Sequence, residues 1–218
     1  MKTRILLALV GLGLLGTQNA VADDNLWLGA RAGTLGIGVE ATWRPIPVLD
    51  IRAGIHNYNY DTTSAEAGID YDTELGFDNF YGTLNLRAPM SPFRLTAGIY
   101  SNRNKINLTS QSSPTYNVGG MSFTSAEIGT LSAAVTFDKS SPYLGLGADF
   151  RIANTIGLNF DVGVLWQGEP NISLGASGPI AQDPNFQAEL AAEVIELQDA
   201  LSNYKAYPVA SIGLSFNF

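Results

Sequence analysis

The sequence predicts an all-β fold: an eight-stranded antiparallel up-and-down transmembrane β-barrel with long outer loops, one of them containing an α-helix. Three observations carry this reading. Segments of about 9–11 residues alternate apolar and polar side chains with period two, which is the length and pattern of a tilted membrane strand. The apolar sets hold almost no charge, while the intervening sets hold nearly all of it. An export signal opens the chain.

That signal comprises Lys2 and Arg4, an apolar run from Ile5 to Leu15, and the small-x-small site Ala20-Val21-Ala22. The run is too short for a membrane-spanning helix, which needs about 20 residues. Residues 1–22 therefore read as a signal peptide and residues 23–218 as one barrel domain beginning at Asp23. Gly11, Gly13 and Gly16 match a dinucleotide-binding spacing, but no strand precedes them and no βαβ unit follows. Cleavage removes two of the 12 basic residues and none of the 20 acidic ones, moving the net charge from −8 to −10. That balance excludes nucleic acid as a partner. The chain has no cysteine, so disulfides and thiolate chemistry are excluded.

The strands follow in order. Side chains alternate across a strand, so parity assigns each residue to lipid or lumen. Strand one turns Leu26, Leu28, Ala30 and Ala32 outward, and strand two Leu35, Ile37, Val39, Ala41 and Trp43. After the turn at Pro45-Ile46-Pro47, strand three presents Leu49, Ile51, Ala53 and Ile55. Strand four presents Phe80, Gly82, Leu84, Leu86 and Ala88, and a turn from Pro89 to Pro92 leads to strand five, with Phe93, Leu95, Ala97 and Ile99. Strand six offers Leu144, Leu146, Ala148, Phe150 and Ile152. Ala153 to Thr155 turn into strand seven, with Ile156, Leu158, Phe160, Val162, Val164 and Trp166. The last strand alternates Ala210, Ile212, Leu214 and Phe216 with small or polar residues and ends on Phe218. A terminal aromatic after such a run resembles the assembly signal of bacterial outer-membrane barrels.

Turn lengths give the orientation. Connections at 45–48, 89–92 and 153–155 are short, which puts them and both termini on the periplasmic side. The outer connections are a tight one near Gly33-Thr34 and long ones at about 61–74, 104–141 and 168–205. In the third, Gly119-Gly120 reads as a hairpin tip between Tyr116 and Phe123. In the fourth, Asp183 caps a helix over 184–203, with Pro184 at its first position. Phe186, Leu190, Val194, Leu197 and Leu201 share one face of that helix, and Glu189, Glu193, Glu196 and Asp199 the other. The expectation is a lid that folds over the barrel mouth and packs its apolar stripe on the third-loop hairpin.

The lumen set is Arg31, Glu40, Arg44, Asp50, Arg52, His56, Arg87, Arg94, Asp149, Arg151 and Asp161. An eight-stranded barrel is just wide enough for its own side chains. These groups either plug it with ion pairs or line a narrow polar path. Asp70, Asp72, Glu74 and Asp78 cluster near the second outer loop, but Leu75 stands where an EF-hand loop requires glycine. A solvated acidic loop with no metal is expected. The sole histidine, His56, has lumen parity and no motif supplies it with a nucleophile, so neither enzymatic activity nor a cofactor is expected.

Three stretches carry a family likeness: Pro142-Tyr143-Leu144-Gly145-Leu146-Gly147, Gly163-Val164-Leu165-Trp166-Gln167-Gly168-Glu169-Pro170, and Tyr204-Lys205-Ala206-Tyr207-Pro208-Val209. They resemble the small outer-membrane barrels of the CarO type, a group associated with ornithine or basic amino-acid uptake and with carbapenem susceptibility. An acidic helical segment before the last strand is also similar. The likeness covers most of the mature chain and is strongest from about residue 142 onward. The architecture is similar to the OmpW class, linked with passage of small or apolar compounds. The resemblance implies an eight-stranded barrel in the outer membrane of a Gram-negative cell, and no binding residue is carried over from it.

Two functions follow as expectations. One is a narrow channel or uptake porin for small solutes, amino acids among them. The alternative is a structural or surface-interaction barrel with a closed lumen and no transport activity. Expected partners are outer-membrane lipid and lipopolysaccharide, the barrel-assembly machinery through the C-terminal strand, and a small solute.

Overall fold

The structure is a computed structural model and describes residues 25–66, 69–111, 115–118, 121–153 and 155–217. The proposed signal peptide, its cleavage site and the terminal Phe218 lie outside the described residues. In chain order, the elements open with β1 (Leu26–Gly33), β2 (Gly36–Ile46), β3 (Leu49–Glu66), β4 (Ile69–Arg87) and β5 (Phe93–Asn102). Next come β6 (Lys105–Ser110), β7 (Thr115–Val118), β8 (Met121–Thr124), a one-turn helix α1 (Ser125–Ile128) and β9 (Leu131–Thr136). The chain continues through β10 (Ser140–Ala153), β11 (Ile156–Trp166), β12 (Asn171–Ala176) and a 3₁₀ turn (Pro179–Gln182). It ends with α2 (Pro184–Leu201) and β13 (Ala206–Asn217).

Eight of these strands close a ring. β1 to β5 pair in succession, β5 pairs with β10, β10 with β11, β11 with β13, and β13 returns to β1. Every pair is antiparallel, and the register places Ala30 between Val39 and Leu214. Parity then acts as expected. Ile37, Val39, Ile55, Phe80, Leu84, Leu95, Ile99, Leu146, Val162, Ile212 and Leu214 are all exposed on the outer face. Water would not tolerate so large an apolar surface. It is the lipid-facing belt of an outer-membrane barrel, with short turns at one end and long segments at the other. Among the described residues no helix is long and apolar enough to cross a membrane.

One outward assignment is corrected. Leu35 is 1% exposed and points into the barrel. It lies in the two-residue turn before β2, outside the strand alternation. Gly36 reverses the chain there at φ 100°, and a Cβ on it would sit 2.5 Å from that of Tyr58.

The second outer loop is also corrected. Residues 61–66 and 69–74 are strand and not loop, because β3 and β4 continue in register past the ring, with Asp61 opposite Glu74 and Thr63 opposite Asp72. The reason is a second partner. Tyr71 to Gly76 of β4 pair with β6, β6 pairs with β9, and β9 with β12. The upper half of the β3–β4 hairpin is thereby hydrogen-bonded into an outer sheet standing beyond the barrel. Its strands come from the segments expected as the third and fourth loops. One face of the sheet carries its own apolar core. Tyr116 and Val118 of β7, Ile128 of α1, and Phe186 and Leu190 of α2 are buried together, with Leu174 and Phe123 against them.

Both outer features expected from sequence are present. β7 and β8 form a hairpin, with Tyr116 opposite Phe123 and Val118 opposite Met121. The Asp183 carboxylate accepts hydrogen bonds from the backbone N–H of Asn185 (2.8 Å) and Phe186 (3.2 Å), capping α2. The Phe186 ring meets Phe123 edge-on at 5.2 Å, so the helix packs on the hairpin.

Candidate functional site

The lumen is filled in three layers. The layer near the short turns gathers Asp50, Asp149, Arg44 and Arg87. Asp50 accepts from Arg44 Nε at 2.7 Å and from Arg87 Nη1 at 3.0 Å. Asp149 accepts from Arg87, from Arg94 Nε at 3.0 Å and from Asn159 Nδ2 at 2.8 Å. Asp50 is wholly buried.

The middle layer centres on Asp161. Arg94 donates to both of its oxygens, at 2.6 and 2.8 Å, and Arg31 and Arg52 approach the second oxygen. Such two-pronged pairing is the strong form of an arginine–carboxylate contact. Glu40 pairs with Arg31 Nε at 3.0 Å and accepts from the Tyr81 hydroxyl at 2.7 Å. Arg94 bridges the two layers by donating to both Asp149 and Asp161. Charges this deep persist only when paired and hydrogen-bonded.

The third layer is aromatic. Tyr81 stacks on Tyr100 with centroids 4.9 Å apart, Tyr143 meets Tyr100 at a tilt at 5.4 Å, and Leu35, Leu165 and Val209 complete the layer. Phe77 and Tyr207 pack over it from the outer side. Room for the Tyr81 ring comes from Gly54, where a Cβ would lie 2.6 Å from the ring. Counting charges misses this layer. Its signal in the sequence is three tyrosines at lumen parity on strands that the ring brings together.

The structure places the eleven sequence-assigned residues unequally. Arg31, Glu40, Arg52, Arg94 and Asp161 form the middle layer, and Arg44, Asp50, Arg87 and Asp149 the lower one. His56 is buried and stacks on Tyr81 at 5.1 Å, and its Nδ1 has no hydrogen-bond partner among the described residues. Arg151 keeps lumen parity and lines the same small cavity as Trp27 and Asp149. It is exposed at the rim, outside the ion-pair network, with its guanidinium 5.4 Å from the centre of the Trp27 ring. A register irregularity between Arg151 and Ala153 ends the regular alternation there. The acidic residues Asp70, Asp72, Glu74 and Asp78 lie exposed along β4, and no metal-binding group of three occurs among the described residues.

Little space remains. Between the lower and middle layers lies a cavity of about 20 Å³, bordered by Glu40, Asp50, Arg52 and Asp149. One water needs about 10–15 Å³ measured this way, so the cavity has room for a water and not for a solute.

These features define a small transmembrane β-barrel with a packed lumen and an outer β-sheet module. The fold is that of CarO. The chain is similar to the crystal structure of Acinetobacter baumannii CarO2, with a TM-score of 0.60 and 20% identity over 89% of this chain and 98% of that one. It is similar to A. baumannii CarO at a TM-score of 0.58 and 21% identity, with the same coverage. No protein-family model matches the sequence, and no curated protein matches it.

Proposed function

We propose that this protein is a sealed outer-membrane barrel that works through its outer module, and not an open channel or uptake porin. The observation that carries the reading is the filled lumen: two ion-paired layers and an aromatic layer, with a cavity of about 20 Å³ between the charged layers. Moving a solute through it requires breaking buried arginine–carboxylate pairs, and stripping one partner from such a pair costs about 3–5 kcal/mol. The barrel then serves as a membrane foundation. The reading includes no catalytic role. Outer-membrane lipid and lipopolysaccharide surround the belt, and β13 is the contact for the assembly machinery.

The test is solute entry into proteoliposomes holding the purified protein, with glycine, ornithine and a neutral sugar as solutes, alongside single-channel recording in planar bilayers. Sealed vesicles and a silent bilayer are expected. Saturable amino-acid entry above that of empty vesicles would reject the proposal in favour of an uptake porin.

A further inference from the structure

Between the aromatic layer of the lumen and the apolar core of the outer module lies a second cavity, of about 250 Å³. The side chains that define it come from every part of the junction: Leu75 and Phe77 of β4, Ile106 of β6, Val135 of β9, Leu201 at the end of α2 and Tyr207 of β13. Phe77 and Tyr207 also pack on the lumen's tyrosine layer, so the floor of this cavity is the roof of the sealed barrel.

Its chemistry is one-sided. Besides Tyr204 and Tyr207, the latter donating its hydroxyl to the Thr34 carbonyl at 2.8 Å, two neutral amide side chains border it, each with a hydrogen bond directed elsewhere. Asn104 Oδ1 accepts from Asn79 Nδ2 at 2.8 Å, and Gln167 Nε2 donates to the Tyr204 carbonyl at 3.2 Å. Lys105 borders it as an exposed residue. The apolar walls are half-buried and Tyr204 on the border is exposed, so the cavity opens to solvent. A cavity of about 150 Å³ lined by leucine, isoleucine and phenylalanine takes up benzene. This one is larger, and it keeps its shape because a hydrogen-bonded sheet and a capped helix wall it.

We propose that this junction cavity binds one small neutral apolar molecule, about the size of a substituted monocyclic aromatic. The inference rests on the preceding reading only in taking the outer module as the working face. The ligand is held above the closed lumen and has no path through it. Because the cavity is shared by β4, β6, β9, α2 and β13, an occupant ties the module to the barrel.

The experiment is ¹⁹F NMR titration of fluorobenzene against the folded protein in lipid nanodiscs, with empty nanodiscs as the partition control. Saturable one-to-one binding above the control is expected. Val135→Phe and Leu201→Trp each add side-chain volume to the cavity from a different wall, and either should weaken binding at least tenfold. Folding is checked by heat-modifiable migration, and either folded variant suffices. Signal no greater than that of empty nanodiscs, or affinity within twofold of the original in a folded variant, overturns the proposal. Conductance measured on the same protein separates the two readings: an open lumen with intact binding removes only the sealed-barrel proposal.

Discussion

At the scale of single residues, Asp161 is the keystone of the lumen. It is 3% exposed and takes three guanidiniums, those of Arg31, Arg52 and Arg94. Replacing it with a neutral isostere leaves three buried cations sharing one fewer anion. Asp161→Asn should destabilise the barrel by about 3–5 kcal/mol, the penalty for removing one partner of a buried pair. The Asp78–Arg103 pair is the internal control. It is exposed at 3.5 Å, and Asp78→Asn should change stability by about 0–1 kcal/mol. Urea unfolding followed by heat-modifiable migration compares the two, and equal midpoints for both variants would mean that the network does not hold the barrel. The charged members of this layer are legible in the sequence because each sits at lumen parity in a segment with clear alternation.

At the scale of elements, α2 packs its amphipathic stripe on the third-loop hairpin. Phe186 and Leu190 bury against Tyr116, Val118 and Ile128 in the outer module. The lumen beneath is closed by other residues, namely the tyrosine layer and the ion pairs. Deleting residues 180–203 and bridging the ends with a Gly/Ser linker should leave the barrel folded and its permeability unchanged. It should also expose the module core, so that limited proteolysis cuts within 105–136 at a higher rate. Increased permeability of the folded deletion would return α2 to the role of a lid. The helix was readable from sequence because cap, first-position proline and apolar face are all local signals. The outer sheet was not. Asp61 to Glu66 carry no apolar alternation, and what makes them a strand is a long-range pairing of β4 with β6 that no local pattern announces.

At the scale of the whole molecule, the belt sets how the protein sits in lipid. Ile212 lies midway along the β11–β13 pairing, between Ala32 and Phe160, and faces outward at 47% exposure. Ile212→Arg should cost about 2–4 kcal/mol, the penalty for a basic residue at the bilayer midplane. Asn57 also faces outward, but at the upper end of β2–β3 pairing. Asn57→Arg, near the interface, should cost about 0–1 kcal/mol. The protease-resistant fraction in isolated outer membranes reports both, and equal yields would show that the belt is misplaced along the strands. The eight-stranded ring itself was legible because lipid on one side and packed charge on the other impose the same two-residue rhythm on every strand.

The filled lumen also dictates a sequence of events. The strands β6 to β9, and β12 with α2, end on the far side of the membrane, yet a finished barrel has no bore through which they could be threaded. Both segments must therefore cross while the wall is still open, before β13 finds β1 and seals the last seam. The order of assembly is written into the architecture: cargo first, closure last.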